Sequence, residues 1–202
     1  MEYTDEKYYG TYFMKLRRAQ DQMLATIYQL LEEITKDAEH APVEHIRSRI
    51  KSMDSTREKL SKLGYSQDVR SALIFLSDIV GVRIVTHFVG DVYSILDKLQ
   101  KDSGWKIAII KDYISNPKPN GYRSLHVILE IPFEDEEIPS IMTEIQLRTI
   151  AMDCWASLEH QMKYKKNISN EALIESELKR CADEIASTDL SMETIREMLL
   201  EQ

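Results

Sequence analysis

Eight consecutive residues, Ile79-Val80-Gly81-Val82-Arg83-Ile84-Val85-Thr86, constrain the fold of this chain more than any other stretch. Such a β-branched, apolar run reads as a buried strand. Yet Asp78 stands at its mouth and Arg83 in its middle. A charge buried in a sheet needs a partner or a ligand. Two explanations stand open: a structural Asp–Arg pair, or a metal-binding Asp beside a nucleotide-binding Arg.

The remaining elements are arranged around that strand. Residues 6–38 show apolar positions at three- and four-residue steps (Met14, Leu16, Met23, Ile27, Leu30, Leu31, Ile34), the pattern of a helix. Val43 to Lys51 alternates, with Arg47, Arg49 and Lys51 opposite Ile46, Ser48 and Ile50, which predicts a strand with a basic face. Asp54 is expected to cap a short helix ended by Gly64, and another short helix is expected over Gln67–Leu76. Val89–Lys101 and Ile150–Lys166 read as helices, and Asn170–Gln202 as mostly helical and acidic. Trp105–Tyr113, Ser124–Pro132 and Ser140–Arg148 read as strands. The order predicts an α+β fold: a mixed sheet of about five strands flanked by helices, with a core near 43–166 and helical arms over 6–38 and 170–202. At 202 residues, the chain is expected to form one domain.

Three further clusters carry chemistry. Thr143-Glu144-Ile145-Gln146-Leu147-Arg148 places Glu144, Gln146 and Arg148 on one strand face. Mg²⁺ is held by one or two carboxylates plus phosphate oxygens and water, so Asp78 and Glu144 form a suitable pair if their strands are neighbours. Around Lys118-Pro119-Asn120-Gly121-Tyr122-Arg123-Ser124-Leu125-His126, turn chemistry explains Asn120 and Gly121. Tyr122, Ser124 and His126 fall on one face, where an aromatic ring and a histidine suit base stacking and hydroxyl or phosphate contact. Ser55 and Lys59 lie one turn apart near a helix N-terminus, behind Arg49 and Lys51, an arrangement that favours phosphate oxygens. In the segment after Arg148, Trp155 and Leu158 read as core residues. The acidic run Glu134-Asp135-Glu136-Glu137 reads as a solvated loop.

Other features narrow the field. The chain contains neither G-x-x-x-x-G-K-[ST] nor G-x-G-x-x-G. Cys154 and Cys181 form no C-x-x-C pair, so a disulfide framework or zinc site is not expected. The formal net charge of −8 argues against a stable nucleic-acid partner, leaving only a local basic patch for polyanions. The first residues lack the pattern of a signal peptide, and no apolar run reaches membrane-spanning length, so a cytoplasmic location is expected.

Taken in order, Arg49-Ile50-Lys51 with Ser55 and Lys59, Asp78 to Arg83, Lys118 to His126, Glu144 to Thr149, and Trp155-Ala156 with Glu159-His160 resemble the synthetase domain of the RelA/SpoT family. The small alarmone synthetases of that family are the nearest resemblance. It implies a nucleotidyltransferase-like sheet and a GTP/GDP pyrophosphokinase that moves pyrophosphate from ATP to the 3′-hydroxyl of GDP or GTP with Mg²⁺. It further implies that Arg49 and Arg83 sandwich adenine, that Lys51, Ser55 and Lys59 hold the ATP phosphates, and that Asp78 binds Mg²⁺. Tyr122 would stack on guanine, with Lys118 and His126 along the acceptor. Glu144, beside Gln146, would support Mg²⁺ and take the hydroxyl proton. The resemblance also implies a homotetramer. Two other readings are a toxic relative that acts on tRNA 3′ ends or adenine nucleotides, and an inactive nucleotide-binding regulator. The first calls for an extended basic surface, and the second is disfavoured by the retained Asp78 and Glu144.

Overall fold

The computed structural model describes residues 2–37, 40–163 and 170–200. Two helices open the chain, α1 (Glu2–Tyr9) and α2 (Tyr12–Asp37). The predicted single helix is therefore broken, because Gly10 adopts φ 55°, a left-handed conformation that ends α1 while its N–H bonds Glu6 O at 2.8 Å.

Next come β1 (Val43–Ile50), α3 (Met53–Leu63), α4 (Val69–Phe75), β2 (Val80–Thr86) and α5 (Val89–Asp102). They are followed by β3 (Lys106–Asp112), β4 (Leu125–Pro132), β5 (Ser140–Thr149), α6 (Ile150–Lys163) and α7 (Glu171–Leu200). The expected helix end at Lys166 lies outside the described residues, as do the last two positions of the C-terminal segment. Ser52, not Asp54, caps α3: its extended backbone lets Oγ accept from Ser55 N. Asp54 instead occupies the first turn, where a carboxylate complements the helix dipole. Gly64 closes the helix at φ 78°, as its position predicts.

The five strands form one mixed sheet in the order β1-β2-β5-β4-β3. Only the β2–β5 pair is parallel; β1–β2, β5–β4 and β4–β3 are antiparallel. On one face, Val82, Ile84, Val127, Leu129, Ile145 and Leu147 join a core with Leu16, Met23 and Ile27 of α2 and Val92, Ile95 and Leu99 of α5. The opposite face carries the polar residues of alternate positions, the consequence of a period of two along each strand.

A smaller cluster forms where α7 folds back. Trp155, Leu178 and Ala182 pack with Tyr122, Ile174 and Ile185, and Trp155 Nε1 donates to Leu178 O at 3.0 Å. Leu158, expected in the core, is instead exposed, three residues on from Trp155 and off the stripe that meets α7. Gly121 is required by this docking. Its φ is 87°, and a Cβ there would stand 2.6 Å from Ala182 Cβ.

The acidic run is not a free loop. Asp135 pairs with Lys15 at 2.9 Å, Glu134 with Arg18, and Glu137 with Arg70. These pairs tie the β4–β5 connection to α2 and α4.

Candidate functional site

Register fixes the polar face. Arg47 pairs with Arg83, Arg83 with Gln146, and Gln146 with His126, so one row of functional groups crosses four strands. In the adjoining row, Arg49 pairs with Gly81 and Gly81 with Glu144. Gly81 adds no side chain between Arg49 and Glu144, which leaves room for a cleft of about 300 Å³. Arg47, Arg49, Asp78, Arg83, Glu144 and Gln146 line it.

Asp78 lies just before β2, at the mouth of the cleft. Its Oδ2 accepts from Lys51 Nζ at 2.9 Å, and its Oδ1 lies 2.9 Å from Lys59 Nζ. The second contact is an ion pair, so both carboxylate oxygens meet a lysine. Burial pushes the Asp78 carboxyl up, but the two lysines more than offset it, and the group titrates below the ordinary carboxylate range. The Asp–Arg pair considered from the sequence is therefore absent: Asp78 pairs with lysines, and Arg83 meets Asp153 of α6 at 3.1 Å.

Lys51 is buried behind α3, whose position α1 sets. Tyr9 Oη donates to Lys51 O at 2.7 Å, and Asp5 Oδ1 accepts from Met53 N at 2.7 Å. Ser55 is exposed on the first turn of α3, its hydroxyl bonded by Ser52 at 3.0 Å.

Glu144 sits two strands from Arg49. Its Oε1 accepts from His126 Nδ1 at 3.0 Å and its Oε2 from Gln146 Nε2 at 2.7 Å. His126 Nε2 and the Tyr122 hydroxyl are hydrogen-bonded at 2.8 Å. The Tyr122 oxygen accepts from Arg148 NH2 at 2.6 Å. Lys118 Nζ lies 4.8 Å from the Tyr122 ring centre and 4.7 Å from that of Tyr113, both within cation–π range. Lys118, Tyr122, His126, Gln146 and Glu144 thus form one connected group on the β4–β5 side. Lys51, Lys59 and Asp78 form another on the β1–β2 side, where Arg49 and Arg83 line the cleft and Arg83 NH2 reaches across to Gln146 Oε1 at 3.5 Å.

Two carboxylates in one cleft fit Mg²⁺, which takes few protein ligands and completes its shell with phosphate oxygens and water. Asp78 Oδ1 meets the Lys59 ammonium at 2.9 Å and has a second lone pair to offer a cation. Among the described residues there is no cluster of three or more His, Cys, Asp or Glu able to hold a metal without such help.

The family description "Region found in RelA / SpoT proteins" matches residues 48–169, from β1 to the end of α6 and beyond. The chain belongs to the RelA/SpoT family. It is 43% identical over 145 residues to GTP pyrophosphokinase YwaC of Bacillus subtilis, covering 71% of this chain and 69% of that one. Small alarmone synthetase 2 from the same organism has TM-score 0.78 at 36% identity, covering 91% of this chain and 95% of the other. Small alarmone synthetase 1, solved with its product pppGpp, has TM-score 0.83 at 26% identity, covering 96% and 99%. The mixed α+β sheet expected from the sequence is thus shared with RelA/SpoT synthetases. No described helix is long and apolar enough to cross a membrane.

Sequence reasoning missed Asp153 and undervalued Arg47. Arg47 was legible as part of a basic strand face. Asp153 follows β5 in the first turn of a helix, where a carboxylate is common for dipole reasons alone, and only the fold shows its two arginine partners.

Proposed function

We propose that this chain is a GTP/GDP pyrophosphokinase, transferring the β,γ-pyrophosphate of ATP to the 3′-hydroxyl of GDP or GTP. The single observation that carries this reading is that Asp78, Glu144, Arg49 and Arg83 open into one cleft in a chain of the RelA/SpoT family. Relatives named GTP pyrophosphokinase and a structural neighbour bound to pppGpp support it.

Arg49 and Arg83 grip adenine, and Lys51, Ser55 and Lys59 hold the phosphates at the end of α3. Tyr122 stacks on guanine, and Lys118 and His126 lie along the acceptor. Glu144 accepts the 3′-hydroxyl proton. The 3′-oxygen then forms a bond to the β-phosphorus while the bond from that phosphorus to the α,β-bridging oxygen breaks, and AMP leaves. Such a transfer depends on positioning and charge neutralisation more than on covalent help. Mg²⁺, held by Asp78 and Glu144, supplies neutralisation of phosphate charge when bound. Lys51 and Lys59, which neutralise Asp78, lie where they can also meet the phosphates.

We also propose a cytoplasmic homotetramer. Along α7, Ile174, Leu178 and Ile185 pack inward, but Leu190, Ile195, Met198 and Leu199 remain exposed, an apolar strip that suits another copy of the chain.

The deciding experiment incubates the chain with ATP, Mg²⁺ and each guanine nucleotide and follows AMP release beside nucleotide binding. Wild type should release AMP. Glu144→Gln should bind both nucleotides while losing about 10²–10⁴-fold in rate, the usual worth of a general base. A wild type that binds nucleotides and releases no AMP would make the chain a regulator.

A further inference from the structure

Asp153 lies outside every role given above, yet it touches both halves of the site. Its Oδ1 accepts from Arg83 NH1 at 3.1 Å and from Arg148 NH1 at 3.1 Å. One carboxylate oxygen is thus shared by two guanidinium groups. The Asp153 side chain is only 13% exposed, so that competition is not relieved by bulk water.

The two arginines face opposite substrates. Arg83 belongs to the adenine side; its NH2 also reaches Gln146 Oε1, at a long 3.5 Å, and its Nε is buried without a hydrogen-bond partner. Arg148 is buried under the acceptor side. It donates to the Tyr122 hydroxyl, to Gln146 Oε1 at 3.2 Å and to Ser124 Oγ at 3.3 Å, and its guanidinium lies 5.1 Å from the Tyr122 ring centre. Whatever tightens Arg148 therefore fixes the ring on which guanine is to stack and the amide that holds Glu144.

We propose that Asp153 is a positioning residue that couples the two nucleotide subsites through this shared oxygen. When adenine draws Arg83 away, Asp153 pairs fully with Arg148, which then holds Tyr122 and Gln146 more firmly, and the guanine nucleotide binds more tightly. This rests on the pyrophosphokinase reading for the identity of the two ligands. Coupling is reciprocal, so guanine nucleotide must tighten ATP by the same factor.

The test measures the GDP dissociation constant with and without a saturating non-hydrolysable ATP analogue, by calorimetry, on the full chain. Wild type should gain about fivefold or more, the lower range of known couplings. Asp153→Asn, nearly isosteric, should reduce the factor to about one, and Asp153→Glu should restore part of it. Arg83→Met provides an independent arm that leaves Asp153 in place. It should bind GDP alone as tightly as wild type binds GDP with the analogue, because Asp153 is already committed to Arg148. A wild-type factor near one, an unchanged factor in Asp153→Asn, or Arg83→Met that binds GDP no better than unliganded wild type would each overturn the coupling alone. A wild type that binds neither nucleotide would overturn the functional reading, and the coupling with it.

Discussion

Glu144 and His126 stand on neighbouring antiparallel strands, and Glu144 Oε1 accepts a hydrogen bond from His126 Nδ1 at 3.0 Å. Burial alone pushes the Glu144 carboxyl up, but the hydrogen bond and charge of His126, with help from Gln146, more than offset it and hold the group below the ordinary glutamate range. A carboxyl depressed in the folded chain contributes stability that is present above its unfolded value and lost as pH falls through the folded one. The base form therefore survives below the pH at which a free glutamate would be protonated. His126→Ala leaves the burial and removes the offset, so the acid limb of the AMP-release profile should move to higher pH. An acid limb that stays in place would show that His126 does not tune this group.

Asp78 neutralises a buried lysine as well as facing the cleft. Asp78→Asn should abolish turnover, because an anionic ligand for Mg²⁺ is lost. It also leaves Lys51 buried without its counter-charge, so a stability loss on the order of 1–3 kcal/mol should accompany it. Thermal unfolding of the purified variant checks the second effect, and activity at limiting Mg²⁺ checks the first. Near-normal turnover there would remove Asp78 from the metal site.

Tyr122→Ala should raise the KM for the guanine nucleotide far more than that for ATP. Stacking on an aromatic side chain is worth about 1–3 kcal/mol per base, equivalent to roughly 5- to 150-fold in affinity. Steady-state kinetics with each substrate varied in turn provides the comparison. Equal changes in both constants would exclude a role confined to guanine.

The exposed strip of α7 bears on assembly. Light scattering at micromolar concentration should report a tetramer, and Leu190→Glu with Ile195→Glu should shift it toward smaller species if this strip is buried between copies. A wild-type monomer under those conditions would rule the tetramer out.

The strands were legible because burial on one face leaves a strong mark. Ile145 and Leu147 alternate with Glu144 and Gln146, and no other period fits them. What the sequence concealed was context. Gly10 is the one helix breaker in the 6–38 pattern, and only the fold shows that it divides the segment into two helices. Ser52 and Asp54 are both good caps, and the choice rests on where β1 releases the chain. Leu158 satisfies helical spacing from Trp155, but the helix that could have covered it docks on another face. Asp78 and Arg83 sit close enough in sequence to suggest a pair, yet the fold offers each a different partner: Lys51 and Lys59 for one, Asp153 for the other.

The basic face of β1 has a consequence beyond nucleotides. Among the described residues, β1 is the outermost strand on its side of the sheet and pairs with β2 alone. Such edges invite a strand from another molecule, and charged side chains are a common guard against it. Arg47 and Arg49 are exposed on this strand, so an intruding chain bearing the same sequence would bring like charges face to face. Replacing both with apolar residues would leave Glu44 as the strand's remaining fixed charge on that edge, and the chain would be more prone to aggregate even where its folded core was untouched.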